Sequence, residues 1–166
     1  MILSPSYSNT SVIPCRLLMV PQQREHLEIT LEAFAKACNY IWIYAKHNQV
    51  NQQWNLHQAC YQYIRENFRL PANLAIRAIA RLAPLLKKDT ASLYPFPPNL
   101  LVFDSRTFTL HKTDFTNWSI SVTLLHGREK FHLDLGNHQI SLLKDKHITS
   151  AVLLKKYKSY YLDIQH

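Results

Sequence analysis

The stretch from Asn117 to Gln165 constrains the fold most, because apolar and polar residues alternate along it in twos. Trp118, Ile120, Val122 and Leu124 fall on one face, with Ser119, Ser121 and Thr123 on the other. The alternation restarts at Phe131, Leu133 and Leu135 after His126-Gly127, and at Ile140 and Leu142 after Gly136-Asn137. A last pair runs from about Ser150 to Lys155 and from Ser159 to Gln165, around Lys156-Tyr157-Lys158. Period-two runs broken by turn residues predict antiparallel strands with one buried face. The only glycines, Gly127 and Gly136, stand at two of the breaks, where a positive φ is most often needed. The last third therefore reads as a β-meander closing into a small barrel.

Upstream the pattern changes. Cys15 to Val20 is a short apolar run stopped by Pro21, and reads as a single strand. With no partner nearby, it is expected to pair with the distant meander. Gln22 to about Gln49 carries Leu27, Leu31, Phe34, Cys38, Ile41 and Ala45 at helical spacing, with Pro21 suited to the first turn. Asn55 is the expected N-cap of a second helix reaching Phe68, with Leu56, Ala59, Cys60, Tyr63 and Ile64 inward. Leu70-Pro71 opens a third helix, Ala72 to about Ala83, which Pro84 ends or kinks. Leu100 to Phe103 and Arg106 to Leu110 read as strands of a hairpin around Asp104-Ser105. The expected class is α+β. Residues 1–14 form a loose leader, residues 15–20 plus 100–166 a discontinuous β-barrel, residues 21–88 a helical insert, and residues 89–99 a connector.

Charge narrows the function. A formal charge of +8 and a pI near 9.5 favour polyanionic partners, nucleic acid above all. Cys15, Cys38 and Cys60 have no CxxC spacing, which argues against a disulfide framework and a zinc site and suits a reducing cytoplasm. No apolar run approaches the roughly 20 residues of a membrane span.

Asn73, Arg77 and Arg81 are spaced four apart and share one helix face. Asn and Arg pair bidentately with base edges, and Arg also grips phosphate; a solvated helix face is the structural alternative. Tyr40, Tyr44 and Lys46, with Trp42, His47 and Trp54 near them, and Tyr61 with Arg65 and Arg69, set aromatic rings beside cations, as stacking on unpaired bases requires. Packing aromatics with surface charge is the plainer alternative. Lys144, Lys146, His147, Lys155, Lys156 and Lys158 crowd the last turns, where lysine serves phosphate contact or protects a sheet edge. Catalytic patterns are missing. The nine histidines show no HExxH or HxH spacing, and two glycines make no phosphate loop. Leu133-Asp134-Leu135-Gly136-Asn137 resembles the first carboxylate motif of RuvC-like nucleases, but Asp134 lies inside an alternating strand and no matching Glu and Asp follow it for a two-metal site.

Four segments, CRLLMVPQQREHLEITLEAFAKACNYI, LHQACYQYIRENFRLPANLAIRAIARLA, LLVFDSRTFTL and SISVTLLHGREKFHLDLGNHQISLLK, resemble in their order the N-terminal half of TnpB/OrfB-type proteins of insertion sequences. These are RNA-guided nucleases related to the ancestors of type V CRISPR effectors. The resemblance covers about Cys15 to Gln165. It implies an OB-like wedge barrel split by a helical recognition domain inserted after its first strand. It also implies binding of a structured guide RNA, with target DNA read beside a short motif. By position in the helix, it places motif-reading residues at Asn73, Arg77 and Arg81. Arg16, Tyr40, Tyr44, Lys46, Arg65, Arg69, Lys144, Lys146, Lys155, Lys156 and Lys158 are the candidate RNA contacts. In the family, a strand matching SYYLDIQ leads into a RuvC-like domain; this sequence stops at His166, so no catalytic residue and no cofactor carries over. A split half completed by a separate RuvC-like nuclease chain, a nuclease-free binder and a mobile-element remnant all fit. The rival from another class is a basic protein–protein adaptor, and a stand-alone nuclease would need Asp134 and a divalent metal.

Overall fold

The computed structural model describes residues 11–88, 93–114 and 117–165. It is an α+β fold in which three long helices interrupt a seven-stranded antiparallel sheet. The elements run β1 (Val12–Leu18), α1 (Pro21–Asn48), α2 (Gln53–Phe68), α3 (Ala72–Lys87), β2 (Leu100–Asp104), β3 (Phe108–Lys112), β4 (Trp118–Leu124), β5 (Gly127–Asp134), α4 (Asn137–Leu143), β6 (Ser150–Lys156) and β7 (Ser159–Gln165). Among the described residues no helix is long and apolar enough to cross a membrane.

The strand order is β2-β6-β7-β1-β5-β4-β3. The first strand therefore sits at the middle of the sheet, with Cys15 opposite Leu162 of β7 and Leu17 opposite Leu133 of β5. This is the long-range pairing expected of an isolated strand, and it makes the β unit discontinuous. The strand starts earlier than the sequence suggested. Val12 to Pro14 pair with Gln165 to Asp163, so they belong to the sheet and not to a leader; residues 1–10 lie outside the described residues, as do 89–92 of the expected connector. Alternation works as its period dictates: Ile13, Cys15 and Leu17 are buried while Val12, Arg16 and Leu18 are exposed.

Several expectations fail for local reasons; in α2 the N-cap is Gln52, with Asn55 inside the helix, and Tyr63 is exposed. Leu100–Phe103 and Arg106–Leu110 do not form a hairpin. β2 pairs with β6 and β3 with β4, so these consecutive strands are the two outer edges of the sheet, joined only through the turn Asp104–Thr107. The sheet curls, because α1 touches both β2 and β4 from opposite sides of the strand order, but no pairing of β2 with β3 closes it. Ile140 and Leu142 belong to a helix, α4, and not to a strand. Ile140 and Leu143, three apart, face the core, and Gln139 bridges the helix start. Its Oε1 accepts from the Gly136 N–H at 2.7 Å and its Nε2 donates to the Pro14 carbonyl. Gly136 therefore needs no special backbone; only Gly127, at φ 116, uses the freedom of glycine. Helix α3 runs through Pro84 to Lys87, because Ala83 and Leu86 extend the buried stripe past the proline and Pro84 itself is exposed.

The helical layer and the sheet share one core. Leu27, Leu31, Phe34, Cys38 and Ile41 of α1 are buried in the same cluster as Leu101, Phe103, Phe131, Leu153 and Leu162. Polar bonds fix the layers. The buried Thr30 hydroxyl donates to the His26 carbonyl at 2.8 Å and accepts from the Leu125 N–H at 3.1 Å. Gln23 Nε2 donates to the Lys130 carbonyl at 2.8 Å. The Asn39 amide exchanges two bonds with the Phe96 backbone, at 3.1 and 2.7 Å.

Candidate nucleic-acid interface

The shared face of α3 is not free. Arg77 points to the sheet, with Nε 3.5 Å from Asp104 Oδ2, and Asp104 is also held by Arg106 at 2.8 Å. Arg81 turns toward α1: Nη1 lies 3.6 Å from Cys38 Sγ, and its guanidinium stands 5.0 Å from the centre of the Phe96 ring. Asn73, Arg77 and Arg81 are all half-buried. The two arginines thus tie α3 to β2 and to the segment before it, and Asn73 is the member of the trio without such a tie among the contacts described.

Burial would raise the Asp104 carboxyl. The hydrogen bonds from the Arg106 side chain and backbone, with the charges of Arg106 and Arg77, outweigh it and hold the group below its ordinary value. A carboxylate lowered in this way contributes stability above the unfolded pKa of about 3.9, and loses it as pH falls through the folded value. Asp104→Asn is therefore expected to cost about 1 kcal/mol at neutral pH. The gap to the parent should close in acid, as pH falls through the folded value. Urea unfolding at both pH values measures it, and a gap independent of pH would assign the loss to the turn alone.

The late lysines do not form one patch. Lys144 and Lys146 precede β6 and Lys156 and Lys158 follow or end it, so they lie at opposite ends of that strand, roughly 20 Å apart at 3.3 Å per residue. Lys155 is committed to Glu28 at 3.2 Å. The Glu28 carboxylate also accepts from the Tyr160 hydroxyl, and this bond, ahead of the one from Lys155, lowers its pKa. Burial first, then that same bond, raises the Tyr160 phenol.

The β6–β7 end is the richer one. Lys156 and Ser159 close the hairpin, and Lys158 follows Tyr157 at its tip. Arg24, at the start of α1, donates from Nη1 to the Lys158 carbonyl at 2.9 Å while its guanidinium lies 5.3 Å from the Tyr160 ring centre. Arg16, opposite Tyr161 across the strands, lines a cleft with Arg24, Lys158 and Tyr160. Lys156 Nζ stands 5.6 Å from the Tyr161 ring. One end of the sheet thus collects Arg16, Arg24, Lys156 and Lys158 with Tyr157 and Tyr161.

The outer face of α2 is a second cluster. Trp54, 70% exposed, stacks on His57 at 6.2 Å, and His57 stacks on Tyr61 at 4.5 Å. Arg65 follows, 5.9 Å from the Tyr61 ring, its Nε donating to the Leu70 carbonyl at 3.1 Å. Arg69 caps the helix in the left-handed region and is exposed. Lys46 stands 4.8 Å from the Trp42 ring. Tyr40 is turned inward by comparison, stacked on Tyr63 at 4.0 Å, and Tyr44 is half-buried. Sequence reading named Tyr61, Arg65 and Arg69 but missed that Trp54, His57, Tyr61 and Arg65, spaced three and four apart, make one continuous stack. It also missed Arg24, whose role depends on a turn 134 residues away in the chain.

Asp134 ends β5 opposite Arg16. Among the described residues no group of three or more His, Cys, Asp or Glu is placed to hold a metal. The three cysteines are free thiols inside the core; burial pushes Cys15 up to about 12 and Cys38 and Cys60 up to about 11, so they remain protonated and unreactive at neutral pH. Set against protein-family models and against curated proteins, the chain matches none of them.

Proposed function

We propose that the protein binds a structured guide RNA, and with it DNA carrying a short motif, as the wedge-and-recognition module of a TnpB-like RNA-guided system. The curled sheet stands for the OB-like wedge barrel and α1–α3 for the recognition insert. The observation that carries this reading is the place of β1. It leads directly into the three helices and then lies between β7 and β5, so the helical unit is inserted into a discontinuous sheet. That is the order implied by the family resemblance. The basic end of the sheet and the cationic, aromatic face of α2 supply phosphate contact and stacking, the two interactions RNA recognition uses most. The module binds; cleavage is assigned to none of its residues, and a RuvC-like nuclease chain is the partner that would complete it.

A gel-shift titration with the 3′-end transcript of the protein's own element, against a scrambled RNA of equal length, tests the reading. Preferential binding of the transcript is expected. Equal, weak binding of both would remove the guide-scaffold role and leave the basic adaptor. Motif reading is tested with Asn73→Ala, which breaks no tie between α3 and its neighbours; an unchanged DNA preference would make α3 a structural helix only.

A further inference from the structure

Tyr157 is 99% exposed, at the tip of the β6–β7 hairpin, in the sequence Lys156-Tyr157-Lys158. Its φ is 57°, in the left-handed region that glycine, asparagine and aspartate fill without strain and that a bulky aromatic side chain disfavours. The two-residue turn between Lys156 and Ser159 demands a positive φ at this position, but nothing in the fold calls for tyrosine there, since the ring makes no packing contact at that exposure. The tip is nevertheless held in place. Lys156 pairs with Ser159, and Arg24 donates to the Lys158 carbonyl at 2.9 Å. The flanking lysines are exposed, and neither makes an ion pair among the described residues.

A strained, solvent-facing ring on a fixed hairpin between two exposed cations, neither of them in an ion pair among the described residues, is a placement that stability alone would not select. We propose that Tyr157 is a stacking finger for an unpaired nucleotide, the base lying on the phenol ring and the flanking phosphates meeting Lys156 and Lys158. This rests on the reading of the protein as RNA-binding and specifies what part of an RNA the β6–β7 end takes: a single-stranded segment, not a duplex. A fixed ring suits that task because little side-chain and loop freedom is lost on binding. A duplex, whose bases are already stacked on each other, offers the ring no free face.

Fluorescence anisotropy with a labelled, unstructured oligouridylate, and with an RNA duplex of the same length as control, tests the finger. Tyr157→Gly is expected to raise the melting temperature and to weaken oligouridylate binding on the order of 10-fold, with the duplex unaffected. Tyr157→Asn, which also tolerates the backbone, should behave alike, and Tyr157→Phe should keep the parent affinity. If the parent binds the structured transcript but Tyr157→Gly binds oligouridylate equally well, the finger is wrong and the broader reading stands. If the parent binds no RNA, both fall. Equal losses for single strand and duplex would make the tip a phosphate grip without stacking and overturn the proposal. So would Tyr157-dependent binding of phosphatidylserine-containing vesicles in place of RNA.

Discussion

Phe34→Ala is expected to lower the free energy of unfolding by about 3–5 kcal/mol, a large part of the roughly 5–15 kcal/mol a domain of ordinary size possesses. Phe34 is wholly buried near the middle of α1. The cavity left behind would open into the cluster that joins the helices to Phe103, Phe131 and Tyr160 of the sheet, so the loss should be shared by both layers. Denaturant unfolding followed by tryptophan fluorescence and by far-ultraviolet circular dichroism measures it. Trp42 reports from α1 and Trp118 from β4, so the two layers are both visible. Coincident transitions, shifted together, are expected of one cooperative unit. If the helical signal moved to lower denaturant while the sheet signal stayed, the helices would be a domain of their own and the shared core would be a poor description.

Salt should have the largest effect on binding. If six to ten phosphates meet lysine and arginine, affinity for the structured RNA is expected to fall about 10³- to 10⁵-fold between 50 and 200 mM salt. The exposed candidates are Arg16, Lys46, Arg65, Arg69, Lys144, Lys146, Lys156 and Lys158, enough to supply such a number. The two ends of β6 should contribute separately. Lys156→Ala with Lys158→Ala, and Lys144→Ala with Lys146→Ala, are each expected to reduce the slope of log affinity against log salt by about 2 if that end touches the backbone. A pair that leaves the slope unchanged marks an end of the sheet that faces away from RNA. A nearly flat slope for the parent protein would fit the adaptor and defeat the electrostatic basis of the proposed function.

Periodicity made most of the elements legible and little of their neighbourhood. The stripe of Leu27, Leu31, Phe34, Cys38 and Ile41 needs only the 3.6-residue turn to be read, and Trp118 to Leu124 only the pleat. Ile140, Leu142 and Leu143 satisfy both periods over a short span; the structure settles them as a helix through Gln139, whose second bond goes to Pro14, far away in sequence. The false hairpin at Asp104-Ser105 has the same origin. A turn sequence fixes a change of direction, but pairing is decided by β6 and β4. Site residues fared similarly. Spacing put Asn73, Arg77 and Arg81 on one face, and nothing in the sequence announces that Asp104 and Phe96 would occupy the two arginines. Tyr157 reads as an ordinary turn residue until its backbone angle and exposure are known.

The central position of β1 also sets a timetable. Leu17 faces Leu133 and Val12 faces Gln165, so the strand's two neighbours are separated from it by well over a hundred residues of chain. At ribosomal rates of about 5–20 residues per second, the first strand waits on the order of 10 s for its second edge to be covered. The helices, whose contacts are local, can form at once and leave Val12–Leu18 tethered beside them with both edges open. Those edges are templates for pairing between nascent chains, and Pro14, which brings no N–H to the ladder, blunts one of them.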